Sequence, residues 1–333
     1  MGKDAYRSRS RACSTEEKHV APTLSKPCDS VWELPQRLGM ASWMTELKEF
    51  LTRWLDECDL EVRDMIRRQL SGRAKYYRPV TLFACFQAMH KEAIPAHVLR
   101  SAAAVELAHN VSLIIDDILD RSRFRRGKLS LHCRFGFLPA LMTAGYITAG
   151  THRIVSDDPY SILTIGELMQ RLGVAECLQW RLRRRALGVE DWRRIAGEDT
   201  GSMFEICARL GTRDDRLLKF GQLLGILYHG CDDVGDVRGT VALGGGSARD
   251  IQDGVLTLPA AIAMRNPKTA LLFRRDDPES LEAVAKKLRL ALPEAEEYLD
   301  KIAAEAEAEA RKHAKYPETL IGLVRYTREL SRN

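Results

Sequence analysis

The residues with the clearest chemical promise lie in Leu113 to Gly127, LIIDDILDRSRFRRG, where an apolar run gives way to three aspartates and then two arginines. At helical spacing Asp116 and Asp120 lie four apart and Asp117 and Asp120 three apart, which predicts three carboxylates on one face within about one turn. Crowded carboxylates repel unless a cation sits among them, and oxygen-only donors favour a hard divalent ion such as Mg²⁺ over zinc. The pattern recurs in Leu227 to Val237, LYHGCDDVGDV, with Asp232, Asp233 and Asp236. Mg²⁺ usually shares its shell with water and substrate phosphates. Two carboxylate clusters together with Arg125 and Arg126 therefore point to a diphosphate held through bridging metals. One such cluster alone is as easily a solvated helix face, as Asp214 with Asp215 and Asp276 with Asp277 are. What sets these two apart is that each ends an apolar run.

The elements that must carry them are helical. Pro95 to Leu119 is Ala-rich and apolar nearly all round, which predicts a buried central helix with the first aspartates near its C-terminal end. Residues 43–70 keep helical spacing up to Ser71-Gly72, and Pro79 suits the first turn of a buried helix that follows. Two helices joined by the turn at 157–159 span 137–182, and further helices are expected over about 190–210 and 214–233, the latter delivering the second cluster. LGGGSARD at 243–250 is expected to be a loop beside the metal site, either a phosphate nest or a connector. AAEAEAEARKHAK predicts a solvated helix. Residues 1–35 are expected to be a flexible tail with Trp32 and Leu34 as docking residues, leaving 36–333 as one all-α domain.

Composition agrees. Hydrophobic residues at 45% with only 7% aromatics suit a large helical core in a chain of 333 residues. A formal charge of +5 against 51 basic and 46 acidic residues gives no argument for nucleic acid, and RLRRRALGVEDWRR at 181–194 suits an exposed helix face. Eight cysteines without a CxxC pattern suggest buried thiols in a reducing compartment, not zinc. No run of about 18 apolar residues predicts a membrane span, and the polar N-terminus lacks a signal-peptide core, so the cytoplasm is expected.

With these motifs the chain resembles the trans-isoprenyl diphosphate synthases, and among them looks most like geranylgeranyl diphosphate synthases, over roughly residues 68–330. DDILDRSRFRRG matches the family's first DDxxD and following RRG, and GQLLGILYHGCDDVGD with DGVLTLP matches the second DDxxD and later T-x-P, about 115 residues on. The resemblance implies a single-domain isoprenoid-synthase-type helical bundle with a central cavity. It also implies three Mg²⁺ ions on Asp116, Asp117, Asp120, Asp232, Asp233 and Asp236, and a homodimer. Isopentenyl diphosphate would be held by Lys75, Arg78, His109 and Arg126, with Arg125, Thr200 and His229 also meeting substrate. The implied reaction ionises an allylic diphosphate, and isopentenyl diphosphate then attacks to give a longer prenyl diphosphate of geranylgeranyl length or more.

The chain departs from the family on the allylic side. Asp199-Thr200 replaces Lys-Thr, Val255 replaces a lysine, His229 replaces a glutamine, and the loop lysine falls within Gly244 to Gly246. Arg249, Arg238 or His229 are candidates to restore the lost charge. At the pocket floor, Val111, Thr148 and Ala149 are small, with Tyr146, Trp180 and Arg171 able to close it from another side. Lost allylic cations keep open a terpene cyclase derived from this family; a non-catalytic regulatory subunit is the third alternative, against which six retained aspartates argue.

Overall fold

The computed structural model describes residues 33–71, 74–239 and 247–332, with the side chains of 247–249 left aside. The expected all-α architecture is found, and the description below concerns the unit from Val31 onward. Its axis is α5 (Ala96–Leu119), whose Ala102, Ala103, Ala104 and Ala108 are fully buried and let neighbours approach closely. By length and composition α5 is apolar enough to cross a bilayer, and most of that surface is buried inside the protein. Around it pack α4 (Tyr77–Met89), α7 (Phe137–Ile154), α8 (Pro159–Leu182) and α10 (Ser202–Thr212). On the far side α10 meets α11 (Leu218–Arg238), which is in turn backed by α15 (Pro278–His313) and α16 (Glu318–Glu329).

The packing of α11 depends on two glycines one turn apart. A Cβ on Gly221 would lie 2.6 Å from the Phe204 carbonyl oxygen of α10, and one on Gly225 would lie 2.6 Å from Gly201 Cα and 2.8 Å from the Thr200 oxygen. Gly201 closes a π-helical turn, Gly197–Gly201, that links α9 (Val189–Ala196) to α10. Missing side chains on α11 thus allow the backbone bearing Asp199 and Thr200 to press directly against the helix bearing the second aspartate cluster.

Several boundaries differ from expectation. The helix expected over 43–70 breaks into α2 (Ala41–Glu57) and α3 (Leu60–Leu70), because Asp59 turns its carboxylate to accept from Glu61 N at 3.0 Å and caps a new start. The helix expected over 190–210 is interrupted by the π-helical turn. The helix expected to end at 233 continues through Asp236 until Gly239, at φ +78, stops it. Ser247–Asp253 is helical (α12) where a loop was expected, ending at Gly254 with φ +68; Gly244 to Gly246 lie outside the described residues. Nor is AAEAEAEARKHAK solvated all round: its Ala306 and Ala310 continue one stripe of α15 from Ile302, just before it, and all three are fully buried. A two-stranded hairpin, β1 (Phe124–Arg125) with β2 (Lys128–Leu129), was not foreseen. The proposed tail lies outside the described residues as far as 32, while Leu34 sits buried in α1 (Glu33–Arg37).

Candidate active site

Asp116, Asp117 and Asp120 lie at the C-terminal end of α5, each with different surroundings. At 100° per residue the three side chains span an arc of about 100° at the end of α5, and the charge of Asp120 reaches both Asp116 and Asp117. Asp116 is half-buried with Oδ1 closed off and lacking a hydrogen-bond partner; burial, then the charges of Glu176 and Asp199, push its carboxyl well above the usual range. Asp117 is buried and accepts from Arg125 Nε at 3.0 Å and Nη2 at 2.8 Å. Asp120 accepts from Arg183 Nη2 at 2.6 Å. Arg125 and Arg183 therefore serve the first cluster. The basic stretch at 181–194 is not the exposed helix face expected: α8 ends at Leu182, Arg183 turns back to Asp120, and Arg184 donates to the Gln252 and Arg275 carbonyls.

The second cluster lies within α11. Asp233 is buried and accepts from Trp192 Nε1 and from Leu258 N, both at 2.8 Å. Burial pushes its carboxyl up to about 6, against the opposing pull of His229. Burial, with Asp236 and Asp233 nearby, pushes Asp232 up to about 7, and the charge of Lys75 works against this. Asp250, on α12, is also pushed up to about 7, by burial and then by Asp233, Asp236, Asp232 and Asp120. It thus feels both clusters, which face a common space. Glu176, on α8, is the counterpart near Asp116: burial, Asp199 and Asp120 raise it to about 7.

Asp199 and Thr200 bridge the two sides. Asp199 Oδ2 accepts from Gln179 Nε2 at 3.2 Å and from Thr200 Oγ1 at 3.3 Å, and lies 3.4 Å from His229 Nδ1. Thr200 Oγ1 stands 2.9 Å from the same nitrogen, and His229 Nε2 is 3.8 Å from Asp233. Burial disfavours charge on His229, but Asp233, Asp199 and Asp232 outweigh it and raise the imidazole to about 9, so it is cationic at neutral pH. Arg238 is turned away, held by Glu296 and the Ser331 carbonyl. Val255 is half-buried, and the Arg249 side chain lies outside the described residues.

A separate basic cluster lies beside α5. Arg78 lies 5.6 Å over the rings of both Phe204 and Tyr228, with Nε 3.1 Å from Met203 Sδ. Arg126, on the hairpin, donates to the Gln69 carbonyl at 3.5 Å. His109 is buried between them, and burial with Arg78, Arg126 and Arg125 keeps it well below the usual imidazole range, hence neutral. Of the residues named for the pocket floor, Val111 is buried and Thr148 half-buried, but Ala149 is exposed. Tyr146 accepts from Asp59 N at 3.1 Å, Trp180 is exposed beneath Arg183, and Arg171 is held by Glu205 at 2.7 Å, so none of these three stands as a free plug.

Glu176, Arg183, Trp192 and Asp250 were missed from sequence. Glu176, Gln179 and Arg183 recur at helical spacing along one side of α8, a signal that could have been read; Trp192 and Asp250 carry none. Among the described residues no three acidic, imidazole or thiol groups form a ready-made cage. The donor chemistry nevertheless fits Mg²⁺: the acceptors are all carboxylates, one buried oxygen of Asp116 is unpartnered, and burial followed by mutual repulsion raises several of the groups.

The polyprenyl synthetase family model matches residues 60–290. The chain is 25% identical over 257 residues to nonaprenyl diphosphate synthase of Mycobacterium tuberculosis, covering 71% of this chain and 72% of that protein. It is 26% identical over 269 residues to geranylgeranyl pyrophosphate synthase 4 of Arabidopsis thaliana, covering 72% of each. In fold it is similar to the heptaprenyl diphosphate synthase of Staphylococcus aureus, with a TM-score of 0.79 at 22% identity over 88% of this chain and 98% of the other.

Proposed function

The chain belongs to the polyprenyl synthetase family and is a prenyltransferase, and from that premise we propose that it condenses an allylic prenyl diphosphate with isopentenyl diphosphate, in the presence of Mg²⁺, to a prenyl diphosphate of geranylgeranyl length or longer. The observation that carries this reading is Asp250, whose carboxyl feels Asp232, Asp233 and Asp236 of the second cluster and Asp120 of the first, which supports the two clusters acting on one space. Asp116, Asp117, Asp120, Asp232, Asp233 and Asp236 would hold the metal, three ions in our reading. Bound there, Mg²⁺ supplies Lewis-acid stabilisation of the leaving diphosphate oxygens. Arg125, Arg183 and Trp192 hold Asp117, Asp120 and Asp233 in place, limiting the reorganisation left for the moment of reaction.

The basic cluster is the pocket of the second substrate. Arg126, Arg78 and Lys75 supply positive charge and neutral His109 a hydrogen bond, the charge of Lys75 also reaching Asp232. The allylic carbon–oxygen bond breaks with its electron pair leaving on diphosphate. The isopentenyl double bond closes the new carbon–carbon bond, and a proton passes to the released diphosphate. No nucleophilic side chain is required. His229, cationic beside Thr200, returns one positive charge to the allylic side where lysines are missing.

Relatives named for geranylgeranyl and nonaprenyl products leave the chain length a matter for measurement. We take the active species to be a homodimer, supported by the exposed apolar residues Phe137, Leu138 and Met142 on α7 and Leu163 and Val174 on α8, and its compartment to be the cytoplasm. A cyclase is the second reading, favoured by Asp199 where the resemblance expects lysine. The deciding experiment incubates the protein with Mg²⁺ and farnesyl or geranylgeranyl diphosphate, with and without isopentenyl diphosphate. Longer diphosphates formed only with isopentenyl diphosphate support elongation; a cyclic hydrocarbon or alcohol formed without it overturns elongation for the cyclase.

A further inference from the structure

Deep in the basic pocket is a carboxyl that the reaction above does not use. Glu106, on α5, is 2% exposed, and its Oε2 is closed off from solvent with no hydrogen-bond partner. One turn on, Asn110 is fully buried and donates from Nδ2 to Glu106 Oε1 at 3.2 Å and to the Glu106 carbonyl at 2.8 Å, while its own Oδ1 is likewise buried and unpartnered. Two orphan oxygens thus sit on two side chains already joined by one hydrogen bond. A single proton on Oε2 would satisfy both, closing an acid–amide ring in which each group donates once to the other.

The charges facing Glu106 come from several elements. Arg126 on the hairpin and Arg78 on α4 favour its ionised form; Tyr76, at the start of α4, and Cys207, on α10, are neutral neighbours whose own ionisation it opposes. His109 lies on its own helix, and Gln69 reaches over from α3 to the Asn110 carbonyl. In the empty pocket burial outweighs the two guanidinium groups and the Asn110 hydrogen bond, leaving the carboxyl at about 7. A diphosphate arriving among the same guanidinium groups cancels their field and adds negative charge of its own.

We propose that Glu106 is the proton-accepting partner of isopentenyl diphosphate: as Arg126 and Arg78 engage the diphosphate, Glu106 takes a proton from solvent on Oε2 and closes it onto Asn110 Oδ1. The carboxyl is thereby a positioning residue, an anion that holds the two guanidinium groups inward while the pocket is empty and a neutral group once substrate replaces it. The inference rests on the assignment of this pocket to isopentenyl diphosphate.

Titration calorimetry of the full chain with isopentenyl diphosphate, metal-free at pH 8.0 in buffers of different ionisation enthalpy, tests it. Binding should take up about half a proton or more, and affinity should fall about threefold to fivefold per pH unit across pH 7.5 to 8.5. Glu106→Gln, which keeps the shape, should bind with no uptake and a flat pH profile. Binding by the natural protein without uptake, or with proton release, overturns the proposal and leaves the pocket assignment standing; absence of binding overturns both. Uptake that persists in Glu106→Gln would move the proton to His109 and equally overturn it.

Discussion

Gly225→Ala tests whether contact between α11 and the π-helical turn sets the allylic site. The new Cβ would stand 2.6 Å from Gly201 Cα, 2.8 Å from the Thr200 oxygen and 3.0 Å from Gly201 N. All three are backbone atoms, so no side chain can swing aside, and the two segments must part by roughly 1 Å to reach ordinary contact distance. Overpacking of this kind costs about 1–3 kcal/mol. The same displacement stretches the Thr200 to His229 contact, now 2.9 Å, beyond hydrogen-bonding range, and carries Asp199 away from the imidazole. Misplacement of catalytic groups by about 1 Å costs on the order of a hundredfold in turnover. Gly197→Ala is the matched control, since its Cβ would meet Ile226 Cδ1 at an unstrained 3.6 Å in the same turn. Steady-state turnover and thermal unfolding should separate the two variants, with the control near the natural protein in both. If Gly225→Ala keeps its melting temperature and full turnover, or if Gly197→Ala is equally damaged, the contact does not set the site.

Other outcomes can be checked alongside. Asp116→Ala and Asp232→Ala should each abolish turnover with little loss of fold, read by product formation and circular dichroism. The folded-state values of Asp232, Asp250 and Glu176, all about 7, lie above their unfolded ones, so metal-free protein should be most stable below about pH 4–5 as far as these groups are concerned and lose stability as pH rises towards 7–8. His229 adds in the same direction, its contribution complete below about 6.5 and lost through about 9. Melting curves in chelator at pH 5.5 and 8 should show this fall, and Mg²⁺ should restore more at pH 8 than at pH 5.5. Arg126→Ala should raise the KM for isopentenyl diphosphate by at least tenfold without changing that for the allylic substrate. Asp199→Lys alone should lower turnover by placing a cation against His229, whereas combining it with His229→Gln should recover activity, a coupling visible in a double-mutant cycle.

Residues such as Asp116 and Asp232 were legible because local spacing carries the signal: a helix that must bury its length has no reason to end in carboxylates without a charge to meet them. The same reasoning could not name the groups that meet these carboxylates, since Arg125, Arg183 and Glu176 are partners that tertiary packing supplies. Asp250 could not be found for a related reason: its stretch carries three consecutive glycines, which argued for loop, whereas Ser247–Asp253 is helical. Arg183 was masked by its neighbours, being one of six arginines at 181–194, and only its helical spacing from Glu176 and Gln179 sets it apart. Glu106 and Asn110 sat in plain view at helical spacing, yet only burial distinguishes them from ordinary polar residues on α5.

The hairpin that carries Arg126 joins β1 to β2 through two consecutive residues of positive φ, Arg126 at +52 and Gly127 at +77. Such a turn suits asparagine followed by glycine, and an arginine in its first position is held against its own backbone preference. Arg126→Asn should therefore stabilise the fold by about 0.5–1 kcal/mol in denaturant titration while it impairs isopentenyl diphosphate use. Selection for stability and selection for catalysis pull this codon in opposite directions. On the proposed role of Arg126, a lineage released from the need to use isopentenyl diphosphate would be free to trade the arginine for asparagine early.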